Sequence, residues 1–277
     1  MVSIRSGEHH MLFSIVLGVL GAMVVVMVAA WAFVLVTKNG GWTDVFWTWG
    51  TAATLAASAL WRIGSEAVLP RQWLVAGFMV VWGLRLGLYL TPRVATHPED
   101  ARYAGFREQW GAHYARNMLF VNLPQAPATA LLAFSVEIAA HDRTPHLGPR
   151  DAAAALLFLG AIAGEYLSDR QMKRFRSDRA NRGKVMDRGL WAWSRHPNYF
   201  FQWLGWMAYP VIALDPAHAV TWLSFTAAAV MYLLLRYVSG VPPLEDTMLK
   251  SRGDLFRTYQ RRVSVFFPLP PKRVTQA

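Results

Sequence analysis

Residues Met11 to Val36 read MLFSIVLGVLGAMVVVMVAAWAFVLV, an apolar run without a single charge. A helix of about 20 such residues crosses the hydrocarbon of a bilayer. The run is longer than a signal-peptide core, and Thr37, Lys38, Asn39 and two glycines follow it instead of a small-residue cleavage site, so a retained span is expected. Six further apolar stretches follow: Trp42 to Trp61, Trp73 to Leu90, Asn117 to Ala140, Ala152 to Leu167, Tyr199 to Leu214 and Ala219 to Val238. The fifth and sixth of the seven are short, and Pro124 and Pro127 predict kinks in the fourth. The expected fold is all-α, a polytopic bundle of about seven transmembrane helices. Composition agrees, at 54% hydrophobic with 13 Trp. Residues 1–277 show no internal repeat or flexible linker, which favours a single integral membrane domain.

Charge orients this bundle. Formal net charge is +11, and Lys or Arg at the bilayer centre costs several kcal/mol, so the basic residues collect outside it. Nine lie between Arg170 and Arg195 and eight from Arg236 onward, together seventeen of the 28. Both segments are expected to be cytoplasmic, with the C-terminus. Threading back puts Pro92 to Arg116 on the same side, and the N-terminus and the Asp215 to His218 turn on the other. The absence of cysteine excludes disulfides, thiolate nucleophiles and Cys-ligated metals. All eight histidines fall in loops or at helix ends, without metal-ligand spacing, so neither transmembrane haem nor any other metal is expected. The membrane pattern accounts for the basic charge, so membrane lipids and not nucleic acid are the expected partners.

The stretch densest in chemistry is Glu165 to Gln202. Asp169, Lys173 and Arg176 recur at helical spacing, on one side of an extension that carries the fifth span out of the membrane. Gly189 and Pro197 break the chain on either side of Trp191, Trp193, Arg195 and His196. Arginines beside aromatic planes suit a ligand that carries both phosphate and a ring. The same residues also read as an inner-leaflet basic cluster with an aromatic belt. Pro242 and Pro243 open a polar helix from Leu244 to Tyr259, which reads equally as an amphipathic surface helix. Asp44, Arg85, Asn122, Gln125, Glu137, Glu165 and Gln202 fall within predicted spans, where ionisable groups are functional candidates. Asp44 and Glu137 also read as hydrated end residues, and Arg85 either pairs with Glu165 or Asp44 or snorkels to the surface.

Gly189 to Tyr199, GLWAWSRHPNY, followed by Pro242 to Tyr259, PPLEDTMLKSRGDLFRTY, resembles the steroid 5α-reductase-like superfamily of membrane oxidoreductases, closest to its bacterial branch. The similarity runs from about Asp44 to Pro271, and its specific part is the last hundred or so residues. The resemblance implies a bacterial inner-membrane enzyme, with NADPH reducing a carbon-carbon double bond in an unsaturated lipid. It also implies a cofactor cavity open to the cytoplasm and built by residues of about 150–271. The matching cofactor positions are Ser168, Asp169 and Arg176 on the extension, Arg195, His196, Asn198 and Tyr199 in the loop, and Glu245, Arg252 and Tyr259 near the C-terminus. Arg85, with Asp44 and Tyr89 as proton sources, is the candidate catalytic set.

Two departures bear on substrate. Steroid 5α-reductases proper carry a Gln-Glu pair on the second span, absent from Trp42 to Trp61. They carry His-Tyr-x-x-Arg on the third, where this chain has Val81, Trp82, Gly83, Leu84 and Arg85. A fatty-acyl, isoprenoid or other unsaturated lipid is therefore as well matched as a 3-oxo-steroid. Two other classes compete. Membrane methyltransferases of the isoprenylcysteine type share a His-Pro-x-Tyr element, but S-adenosylmethionine has no phosphate to occupy so many arginines. A non-enzymatic lipid-binding protein would leave Asp169, Arg176, Asn198 and Tyr199 replaceable without loss of ligand affinity.

Overall fold

The structure, a computed structural model, describes residues 6–61, 69–141 and 146–272. In chain order its helices are α1 (Ser6–Thr37), α2 (Trp42–Ala59), α3 (Pro70–Thr96), α4 (Ala101–Trp110), α5 (Tyr114–Asn122), α6 (Gln125–Ala140), α7 (Pro149–Ser177), α8 (Pro197–Trp206), α9 (Ala208–Ala213), α10 (Thr226–Leu233), α11 (Val241–Arg252) and α12 (Asp254–Arg262). No strand occurs among the described residues, only an isolated bridge between Ser194 and Ser264.

Among the described residues five helical stretches, not seven, are long and apolar enough to cross a membrane: His10–Thr37, Pro70–Thr96, Arg102–Ala140, Pro149–Ser177 and Ala219–Arg252. Two expected spans fail for different reasons. α2 is 18 residues long, but Thr43, Asp44, Thr48, Thr51, Thr54 and Ser58 dilute its apolar content. The sixth stretch divides at Met207 into α8 and α9, each far short of the roughly 20 residues a crossing requires. Pro124 interrupts the fourth stretch between α5 and α6, as the kink expectation had it. The last is heterogeneous: a 3₁₀ turn over Ala219–Phe225, then α10, then a π-helical turn over Leu234–Val238.

The chain divides into two compact units, residues 1–152 with 209–227, and residues 153–208 with 228–277. In the first, α1 buries Val16, Val19, Met23, Met27, Ala30 and Val34 along one stripe and exposes Phe13, Leu17, Val25 and Val28. That stripe of every third or fourth residue is the packing face of a helix whose other side suits lipid. The polar residues of α2 turn inward. The Trp47 indole donates to Thr129 Oγ1 at 3.0 Å, Thr51 and Thr129 share a hydrogen bond at 3.0 Å, and the Trp49 indole donates to Thr91 Oγ1 at 3.0 Å. Gly83 of α3 lies so close to Ala52 that a Cβ there would collide with it. Small residues at the contact and hydroxyl bonds across it hold helices together where no water-driven force operates. A buried bidentate ion pair, Arg71 to Asp151 at 2.7 and 2.8 Å, joins the starts of α3 and α7.

α7, which belongs to the second unit from Ala153 onward, runs unbroken for 29 residues, about 43 Å, so the expected extension of the fifth span is one continuous helix. Its last turn carries Arg174 and Arg176, where positive charge complements the helix dipole.

Candidate functional site

Pro197 starts α8 because its fixed φ suits the first helical turn and its missing N–H removes a donor that would go unbonded there. This sets His196 at the N-cap, with Asn198 and Tyr199 in the first turn. The preceding loop is laced to the segment after α12. Arg195 N donates to Ser264 O at 2.8 Å, Ser194 Oγ to Phe266 O at 2.7 Å, and Leu269 N to Trp193 O at 3.0 Å. The buried Tyr259 hydroxyl donates to Trp191 O at 2.6 Å. Burial pushes the Tyr259 phenol well up, so it stays a donor throughout the physiological range.

Glu245 of α11 is the hub. Its Oε1 accepts from Arg195 Nε at 2.7 Å and His196 Nε2 at 3.0 Å, while Oε2 accepts from Gln260 Nε2 at 2.7 Å and Arg195 Nη2 at 3.2 Å. Four donors saturate one carboxylate. Arg195 Nη1 in turn donates to Gln260 O at 3.1 Å and Val263 O at 2.8 Å. Arg195, Glu245 and Tyr259 thus have their polar atoms engaged within the protein and act as the frame of the loop. Burial lowers the His196 pKa, partly offset by the bond to Glu245, so the ring is neutral at pH 7 and its Nε2–H donates to the carboxylate. The His196 ring stacks on Tyr199, with centroids 5.5 Å apart and planes 9° apart.

Asn198 is different. Its Nδ2 reaches Asp169 Oδ1 of α7 at only 3.4 Å, and its buried Oδ1 accepts no hydrogen bond among the described residues. An orphaned buried acceptor costs about 1–3 kcal/mol, which an arriving donor would recover. Of the remaining expected ligands, Ser168 is fully buried and donates to Gly164 O in its own helix at 2.7 Å. Arg176 is exposed, with its side chain unbonded among the described residues, and Arg252 donates to the carbonyls of Lys184 and Ser251 at 3.4 and 3.2 Å. The structure therefore brings Asp169, Asn198, Arg195, His196, Tyr199 and Glu245 into one cluster from α7, α8 and α11, and gives Arg176 and Arg252 outer positions.

Three residues of this cluster carry no sequence signal. Gln260 meets Glu245 only because α12 folds back along α11, and Ser194 works through its bond to Phe266 O. Arg236 sits in the π-helical turn, where its guanidinium lies 4.7 Å from the Tyr237 ring centroid and its charge helps lower the His196 pKa. Such turns re-aim side chains and concentrate at functional sites.

The catalytic candidates lie in the first unit. Asp44 accepts from Arg102 Nη2 at 2.8 Å and from the Tyr103 hydroxyl at 3.0 Å, which ties the first turn of α2 to α4. The Arg85 guanidinium carbon lies 5.7 Å from the Tyr89 ring centroid, one helical turn apart on α3, and Tyr89 is 40% exposed. Both oxygens of Asp44 are thus held as acceptors, whereas the Tyr89 side chain has only the Arg85 contact among the described residues.

A family model described as a protein of unknown function, DUF1295, matches residues 30–263, and the chain belongs to that family, which lies within the steroid 5α-reductase-like group. The chain is also similar to a Schizosaccharomyces pombe protein described as uncharacterized, 24% identical over 265 residues, 86% of this chain and 75% of that protein. No solved structure matches it.

Proposed function

We propose that this chain is a membrane reductase that uses NADPH to reduce a carbon-carbon double bond in a lipid, whether steroid-like, isoprenoid or fatty-acyl. Membership of a family in the steroid 5α-reductase-like group supports the class. The observation that carries the reading to residues is Asn198 Oδ1, a buried acceptor without a donor, beside the stacked His196 and Tyr199 rings. A carboxamide on a flat ring, as in a nicotinamide, offers the missing N–H and a surface to stack. NADPH, when bound, supplies the hydride. Asn198 would hold its carboxamide, His196 and Tyr199 would bound the ring, and Arg176 and Arg252 would take phosphate charge from the outer positions. Glu245 and Arg195 act as positioning residues, since they fix the backbone from which Asn198 and Tyr199 project. In the first unit, Tyr89 is the proposed proton donor, with Arg85 beside it. The basic end of α7 and the C-terminus are assigned to the cytoplasm by charge, in a bacterial inner membrane.

Lipid extracted from the purified protein, identified by mass spectrometry and returned to it with NADPH, tests the proposal. Oxidation of NADPH is expected, with a gain of two mass units in the lipid as one double bond becomes saturated. Binding of S-adenosylmethionine with no NADPH oxidation would move the chain to methyl transfer.

A further inference from the structure

A hollow of about 380 Å³ opens at the basic end of α7, lined by Gln171, Arg174, Phe175, Asn181, Met186, Arg188 and Gly189. It is not on the side of the helix that carries Asp169, Lys173 and Arg176. At 100° per residue, Gln171, Arg174 and Phe175 project to the opposite side, so the hollow is separate from the Asn198 cluster. Its walls are built, not incidental. Gly189 has φ +58, and a Cβ there would stand 2.7 Å from Gln171 Oε1, which accepts from Leu190 N at 3.0 Å. Met186 is 8% exposed, and Asn181 Nδ2 donates to Phe175 O at 3.1 Å, closing the loop over the helix.

The charge in it is unbalanced. Neither the Arg174 nor the Arg188 side chain makes an ion pair or hydrogen bond with another described residue, and no carboxylate lines the hollow. The nearby carboxylates are taken. Asp178 accepts from Ala180 N at 2.9 Å, and Asp187 faces Arg262 at 3.6 Å. The amide nitrogen of Gln171 is likewise undirected, since only its oxygen is bonded. Two unpaired guanidinium forks and an amide donor around a partly apolar floor match a phosphomonoester attached to an apolar body. The level is also suitable: Arg174 lies seven residues, about 10 Å, along α7 beyond the outward-facing Leu167, at the depth where head groups meet water.

We propose that this hollow is a second anion site, which binds a phosphomonoester, supplied either by a lipid head group or by a soluble phosphate ester. It needs no coenzyme and stands or falls apart from the reductase reading. The test uses the full chain in detergent, with dioctanoyl phosphatidic acid, dioctanoyl phosphatidylcholine and glycerol 3-phosphate as separate probes at fixed ionic strength. Saturable binding of phosphatidic acid but not phosphatidylcholine is expected, weakened roughly tenfold or more in the Arg174→Gln, Arg188→Gln double variant. The exposed pair Arg179→Gln, Arg182→Gln, equal in charge change, should bind as the parent does. If glycerol 3-phosphate binds as tightly and is lost in the same variant, the site holds and the source is soluble. Equal loss in both double variants, or no loss in the first, would overturn it.

Discussion

Replacing Glu245 by Leu removes the acceptor of four hydrogen bonds at once. Its partner Arg195 has a side chain only 12% exposed, so the stranded guanidinium cannot hydrate freely. Breaking a buried pair from one side costs about 3–5 kcal/mol, because the remaining charge is left without compensation. At about 2–4 °C per kcal/mol for a chain of this size, the lower figure alone lowers the midpoint of thermal unfolding by roughly 6–12 °C. Pairing it with Arg195→Met removes the stranded charge, so the double variant should recover part of the loss. Recovery stays partial because the Gln260 and Val263 carbonyls lose their donor. Differential scanning fluorimetry on the four proteins of the cycle gives the coupling directly. An unchanged midpoint for Glu245→Leu, or simple additivity with Arg195→Met, would refute the hub.

Acid should loosen the same region. His196 has a folded pKa below its ordinary value near 6.5, so the unfolded chain takes up its proton first as pH falls. Its contribution is complete above about pH 6.5 and declines below it, towards the folded pKa; His196→Gln should flatten that part of the stability profile measured by denaturant midpoint. Gly189→Ala places a Cβ at positive φ against Gln171 and should lower stability by about 1–2 kcal/mol, with faster proteolysis between Arg179 and Arg188 as the readout. Arg85→Leu should lower turnover of the identified lipid while leaving NADPH affinity unchanged; full turnover would take Arg85 out of the scheme.

Much of this was legible because lipid imposes simple rules. The five long apolar helices and the unbroken run of α7 into the basic segment follow from run length and charge, but the same rule also counted two stretches that do not form such helices. α2 misled because a Thr- and Trp-rich helix that turns its hydroxyls towards other helices looks the same by length as one that faces lipid. The sixth stretch misled because its apolar run continues through the break at Met207, so run length outweighed the Gly205 and Pro210 signals on either side of it. At the site, the Arg-His-Pro-Asn-Tyr motif lies where α8, α11 and the segment after α12 meet, yet it could not say which way each side chain turns. Whether Arg195 meets a phosphate or Glu245 depends on α11 and α12 folding back, a contact between residues 50 apart in sequence. Asn198 kept one atom unused, and no property of the sequence distinguishes it from its neighbours.

The decisive measurement is NADPH titration of the detergent-purified protein, followed by energy transfer from tryptophan to the nicotinamide. Saturable binding in the parent, weakened about tenfold or more in Asn198→Leu with an unchanged unfolding midpoint, is the outcome the cluster requires. Absence of saturable binding in the parent, or equal affinity in Asn198→Leu, would contradict it.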